Sequence, residues 1–90
     1  MTTSSLRIER RGTGVYPYLF HAGPYFWPIT PESVEALKRH AKDPPSVFVA
    51  RLLDVVGTTR YLRRQIEMVV THLDERDAQL RGLQETLAAL

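Results

Sequence analysis

The sequence predicts an α+β protein, in which a small N-terminal antiparallel β-meander packs on helices and a long C-terminal coiled-coil-like helix follows. Two observations lead to this prediction. Residues 6–29 consist of short runs with alternating apolar and polar positions, separated by turns rich in Gly and Pro. From Phe48 to Leu90, apolar residues recur at alternating steps of four and three, which is the a/d pattern of a coiled coil.

The chain begins with polar residues and a first strand. Residues 1–5 are polar and are expected to form a disordered tail. Leu6 and Ile8 alternate with charged residues, which is typical of a half-buried strand. Gly12 and Gly14 follow, and their tolerance of positive φ predicts a turn into the next strand.

Two further strands are predicted, from Val15 to His21 and from Tyr25 to Ile29. Pro17 has no N–H to donate, so the second strand is expected at a sheet edge or with a bulge. One sheet face must pack on the helices, because a lone small sheet is marginal in water. The aromatic residues either belong to this core or form an exposed partner surface. The residues of that predicted partner surface are Tyr16, Tyr18, Phe20, Tyr25 and Trp27.

Two helices are predicted before the terminal one. Thr30 can cap the first helix, and Pro31 suits its first position. The Asp43-Pro44-Pro45 run ends it. A second helix is predicted from Val47 to Val56, capped by Ser46, and Gly57 predicts a break after it.

The chain is thus divided into a meander with two helices, residues 6–57, and a long amphipathic helix, residues 58–90. That helix would be roughly 50 Å long, whereas a compact chain of this length is about 30 Å across. A second copy is therefore expected to cover the overhang, and the alternative is a helix that folds back as a hairpin. Gly82 costs about 1 kcal/mol and is not expected to break the helix. The expected oligomer interface comprises Leu62, Ile66, Val69, Leu73, Leu80, Leu83 and Leu87.

Composition limits the chemistry that the chain can perform. Without Cys there is no disulfide and no thiolate metal site, and a cytoplasmic location is expected. No apolar run reaches membrane-spanning length, so no membrane association is expected. The three histidines lie on different predicted elements, and no nucleophile motif or phosphate-binding loop occurs. We therefore expect a protein without catalytic activity, cofactor, metal or small-molecule substrate.

Positive charge is concentrated in two arginine clusters. Residues 1–64 carry a net charge of +5 and residues 65–90 a net charge of −3. Clustered arginines bind phosphates, and the neighbouring Tyr61 can stack on bases. One cluster comprises Arg7, Arg10 and Arg11, and the other comprises Arg60, Arg63 and Arg64.

These features lead to one functional hypothesis and two alternatives. The first is a non-enzymatic protein–protein interaction module, a small oligomeric adaptor, accessory or regulatory protein that binds itself and another protein. The alternative is a dimeric nucleic-acid-binding regulator that uses both arginine clusters. A structural component of a phage or other large particle is a second alternative, which the sequence does not separate from an adaptor.

Overall fold

The computed structural model describes residues 6–12 and 14–90, so the expected tail over residues 1–5 lies outside the described residues. Three strands precede four helices, which confirms the α+β class and the antiparallel meander packed on helices. None of the described helices is long and apolar enough to cross a membrane. The elements are β1 (Leu6–Arg10), β2 (Tyr18–Ala22), β3 (Tyr25–Ile29), α1 (Pro31–Lys38), α2 (Pro45–Val56), α3 (Arg60–Thr71) and α4 (Arg76–Ala89).

The sheet has the order β1-β2-β3, so β2 is the central strand. The expected start of this strand at Val15 and its place at an edge are both wrong, because β2 begins only after Pro17. A proline within a central strand would remove a ladder hydrogen bond. The Pro17 carbonyl instead accepts a hydrogen bond from the Arg11 N–H at 2.7 Å, which closes the loop. Pro28 lies in the edge strand β3, where its missing N–H is tolerated.

One face of the sheet packs on the helices. Phe20 and Ala22 of β2 are fully buried there, and the ring centroids of Phe20 and Trp27 lie 5.4 Å apart. The opposite face includes Arg7 and Phe26, and both side chains are exposed. The meander therefore contributes one face to the core and leaves the other face uncovered.

The first two helices start at prolines. Thr30 caps α1 as expected, because its hydroxyl accepts the Ser33 N–H at 3.2 Å. α2 begins at Pro45, and Ser46 lies inside the helix, so its predicted capping role is wrong. Pro45 suits this first position, since its φ is already helical and it has no N–H to leave unpaired. The break expected at Gly57 is confirmed, because α2 ends at Val56.

The single helix predicted over residues 58–90 is wrong, because the chain forms two helices there. α3 ends at Thr71, and Glu75 takes a left-handed conformation with φ of 48° before α4 begins. Residues 74–77 are all charged, so this segment has no apolar side chain to hold it in a buried stripe. α4 folds back, and the longest dimension of the protein is only 33 Å.

Gly57 and Gly82 provide a matched pair of tests for this fold. A Cβ atom on Gly57 would lie 2.6 Å from the Leu53 carbonyl oxygen and 3.0 Å from the Arg63 Cα. Because both neighbours are backbone atoms, we expect Gly57→Ala to lower the free energy of unfolding by about 1–3 kcal/mol. A Cβ atom on Gly82 meets nothing within 4 Å, so Gly82→Ala should stabilise α4 by up to about 1 kcal/mol. Urea unfolding measures both, and a tolerated Gly57→Ala would contradict the close α2–α3 approach.

Candidate functional site

The residues expected to form an oligomer interface lie inside the chain's own core. α4 packs against β1, α1 and α2, and this packing covers its apolar stripe. Leu62 alone is half-buried and the other six are buried, so in this structure these residues do not form an exposed seam. These residues are buried because the chain folds back after α3. The fold-back turns the apolar stripe of α4 toward the sheet and the first two helices. The six buried residues are Ile66, Val69, Leu73, Leu80, Leu83 and Leu87.

Most of the predicted partner surface also belongs to the core. Phe20 is fully buried, and three of the other rings are half-buried against the core, so these four do not form an exposed aromatic face. Tyr16 is the exception, with 57% of its surface exposed. Phe26 was not predicted, although its opposite parity to Trp27 places it on the uncovered face, where it is 64% exposed. The three half-buried rings are Tyr18, Tyr25 and Trp27.

A cleft of about 400 Å³ opens where the end of the sheet meets the helices. Tyr16 lines it from the loop before β2, and Ile29 lines it from the last position of β3. Thr58 lines it from the connection before α3, and Leu62 lines it from the first turn of α3. This cleft therefore brings residues from the first hairpin and from the start of α3 to one end of the molecule.

The strand register brings Arg10 to the same end. Arg10 pairs with Tyr18, and Tyr18 pairs with Ile29, so Arg10 and Ile29 lie in the last row of the sheet. Two strand spacings separate them, which is about 10 Å. Arg7 pairs with His21 nearer the other end of the strand, so the first arginine cluster is divided.

The second arginine cluster begins α3 beside the cleft. The Thr59 hydroxyl accepts the Leu62 N–H at 3.1 Å and fixes Arg60 in the first turn. Thr58 and Arg60 are two residues apart, so their Cα atoms lie within about 7.6 Å of each other. Arg64 follows one turn later, about 6 Å further along the helix axis. We call the set Arg10, Tyr16, Arg60, Tyr61 and Arg64 the arginine end.

Three of the arginines near this end have no acidic partner in the part of the chain that the structure describes. The Arg63 Nη1 lies 3.7 Å from the Asp54 Oδ1, and the Arg11 Nη1 lies 3.7 Å from the Glu9 Oε1. Within residues 6–12 and 14–90, no carboxylate oxygen lies within 4.0 Å of the side-chain nitrogens of the other three. These three are Arg10, Arg60 and Arg64.

The charges at the start of α3 are unfavourable for the isolated helix. α3 has no acidic residue in its first turn, and its arginines there oppose the positive end of the helix dipole. Arg60 and Arg64 also form a like-charged i,i+4 pair, and each such effect costs a few tenths of a kcal/mol. Local features that lower stability without a structural compensation are typical of functional sites. This arrangement is suited to binding an anionic group.

The uncovered face of the sheet has a different character. The His21 Nε2 donates a hydrogen bond to the Glu9 Oε1 at 2.7 Å. This bond, and to a lesser extent the positive charge of Arg11, holds the pKa of Glu9 below its ordinary value. The His21 and Phe26 ring centroids lie 5.8 Å apart. The face therefore combines a hydrogen-bonded His21–Glu9 pair with one exposed aromatic ring.

A buried glutamine was not predicted by the sequence analysis. Gln84 of α4 is 3% exposed, and its Nε2 donates to the carbonyl oxygens of His40 at 3.1 Å and Asp43 at 2.7 Å. These carbonyls lie between α1 and α2, where the His40 Nδ1 also contacts the Asp43 Oδ2 at 2.7 Å. Gln84 thus ties α4 to the α1–α2 connection and has a structural role.

Trp27 offers a direct probe of the cleft. It is the single tryptophan of the chain and lines the cleft from β3. Its indole N–H is buried and has no hydrogen-bond partner among the described residues. Since indole emission depends on its surroundings, a ligand that enters the cleft is expected to change the Trp27 fluorescence.

Comparison of this chain with known protein families, with curated proteins and with solved structures gives no match. The functional interpretation therefore depends on the geometry and charge of the residues themselves. The arginine end has the most distinctive chemistry, because it combines arginines that have no acidic partner among the described residues with two exposed tyrosines, one of which, Tyr16, lines the cleft.

Proposed function

We propose that this protein is a non-enzymatic binding module that attaches to nucleic acid through the arginine end. The observation that carries this proposal is that the last sheet row with Arg10 and the start of α3 with Arg60 and Arg64 both lie toward the end of the fold where the cleft opens. None of these arginines has an acidic partner among the described residues, and two exposed tyrosines, Tyr16 and Tyr61, belong to the same segments. Arginine suits phosphate because its guanidinium is always charged and donates two parallel hydrogen bonds. Tyrosine adds stacking on bases, which tolerates any sequence.

The distribution of charge supports backbone contacts. The positive groups belong to two separate elements, the end of β1 and the first two turns of α3. Contacts from arginine to phosphate fix the position of a nucleic acid but carry little sequence information. We therefore expect binding with weak sequence preference and a strong dependence on salt concentration.

Removal of Arg60 and Arg64 tests this proposal. We expect Arg60→Gln with Arg64→Gln to weaken binding of a labelled oligonucleotide strongly. Each lost phosphate contact should reduce the slope of log affinity against log salt by about 0.7–0.9, depending on strandedness, hence by roughly 1.5 for two contacts. Fluorescence anisotropy at several salt concentrations measures both quantities.

Arg39→Gln with Arg81→Gln is the matched control. Both arginines are exposed, Arg39 directly follows α1 and Arg81 lies on α4, and the formal charge changes equally. Near wild-type binding by this control would locate the contacts at the arginine end. Equal losses in the two double variants would instead indicate attraction by net charge, and would contradict the proposed site. Circular dichroism of both variants excludes unfolding as the cause.

A protein–protein interaction module is the second candidate. It is favoured by Phe26, whose ring is exposed on the uncovered sheet face beside Pro28. Exposed aromatic rings are enriched at protein interfaces. Here the partner would be a protein with an apolar surface that covers Phe26, as in an adaptor or a component of a larger particle. If the wild-type protein binds no oligonucleotide at low salt, this candidate replaces the first.

A further inference from the structure

We propose that the arginine end binds single-stranded rather than duplex nucleic acid, with one base seated in the cleft beside Tyr16. This inference rests on the proposed function and specifies its ligand. It follows from the position of the cleft, from the exposure of the two tyrosines and from the short extent of positive charge along α3.

The cleft is suited to a flat ring. Its volume is about 400 Å³, and its walls include Trp27, Pro28 and Val55. These apolar side chains can contact the face of a heteroaromatic ring, and hydroxyl side chains in the same lining, such as Thr30 and Ser33, can hydrogen-bond to its edge. A base reaches such a cleft only when it is unstacked and unpaired, which is the ordinary state in a single strand and costs energy in a duplex.

The exposed tyrosines provide stacking surfaces next to the phosphate contacts. Tyr16 lines the cleft and is 57% exposed. Tyr61 is 62% exposed and directly precedes Leu62, which also lines the cleft. Aromatic side chains beside a positively charged groove are the usual means by which proteins bind single strands without sequence preference.

A duplex is the competing ligand. α2 and α3 are joined by only three residues, 57–59, and helix-turn-helix proteins use a connection of this length to place their second helix in the major groove. Beyond Arg64, however, the next exposed residues of α3 are Glu67 and Met68. A helix lying along a groove would bring the Glu67 carboxylate toward the phosphates. Positive charge limited to the first two turns favours contact of the helix end with one strand.

The experiment compares ligands of equal length on the full chain. The probes are a labelled thymidine oligonucleotide of about 12 nucleotides, its duplex with the complementary strand, and an abasic strand of the same length. We expect the single strand to bind at least about tenfold more tightly than the duplex at equal salt. Only the strand with bases should change the Trp27 emission.

Variants of the tyrosine then test the seated base. Loss of one stacked base corresponds to a roughly 5- to 150-fold weaker affinity. We expect Tyr16→Ala to show this loss, Tyr16→Phe to retain most of the affinity, and Phe26→Ala, which removes an exposed ring on the uncovered face, to change nothing. The abasic strand should bind wild type and Tyr16→Ala alike.

The outcomes distinguish failure of this inference from failure of the proposed function. Tighter or equal binding of the duplex, or full affinity of Tyr16→Ala, would overturn the inference and leave the proposed function intact. Absence of binding to all three nucleic-acid probes would overturn both. Equal affinity for polyglutamate of matched charge would also overturn both, because the site would then accept any polyanion, including an acidic protein.

Discussion

Aspartate at both Leu80 and Leu87 is expected to unfold the entire protein, including the sheet. Both side chains are fully buried in the core. α4 packs against β1, α1 and α2, so a carboxylate at either position would be buried without a partner. Such a charge costs several kcal/mol even after relaxation, and two of them approach or exceed the usual stability of a domain of about 5–15 kcal/mol.

Far-UV circular dichroism and size exclusion with light scattering measure this effect. The matched control is Ala78→Asp with Ala88→Asp, which adds the same charge to exposed positions of the same helix. This control should remain folded. If the Leu80 and Leu87 variant instead kept its sheet and only lost mass from an oligomer, α4 would be an assembly element, as the heptad pattern originally predicted.

That pattern identified which residues are buried but not what buries them. Leu73, Arg76 and Leu80 continue the steps of three and four across the connection between α3 and α4, although Glu75 is left-handed there. The a/d pattern reflects only the spacing of apolar residues in the sequence. The four-residue connection between α3 and α4 preserves this spacing although the helix is interrupted there. The usable signal was the charged run over residues 74–77, because a buried stripe cannot pass through four charged positions.

The arginine end shows a similar limit. Arg60 and Arg64 could be selected from the sequence because they lie one turn apart on a predicted helix. The association of Arg10 and Tyr16 with them depends on strand register and on packing between distant segments, which local patterns do not encode. Alternation along the strands correctly grouped the aromatic rings into faces. Which face the helices cover was decided by the fold-back of α4 and by α3, and not by the strands.

Gln84→Glu exchanges one amide nitrogen for oxygen and is expected to lower the free energy of unfolding strongly. Its amide nitrogen donates to two backbone carbonyl oxygens in a buried setting. In Gln84→Glu an ionised carboxylate would face those two oxygens with no proton to donate. We expect the free energy of unfolding to fall by about 3–5 kcal/mol near neutral pH, because an unpaired buried charge faces acceptors only.

The same variant should acquire a pH dependence that wild type lacks at this position. Burial and facing carbonyls raise the folded-state pKa of the new carboxyl above its unfolded value of about 4.3. Below that value both states are protonated, the carboxyl O–H can donate to one carbonyl, and the loss should shrink to about 1 kcal/mol. The penalty then grows as pH rises from the unfolded pKa to the folded pKa.

Urea unfolding between acidic and neutral pH measures this dependence, with Gln79→Glu as the control on the same helix. Gln79 is half-buried and lines an open groove. The carboxylate introduced there therefore stays hydrated, and the stability of this control variant should change little with pH. A Gln84→Glu protein that is as stable as wild type at neutral pH would mean that α4 does not hold the α1–α2 connection. Such a result would also mean that the hydrogen bonds of Gln84 do not help the buried leucines to keep α4 folded back against its own chain. α4 would then be easier to release for assembly with another chain.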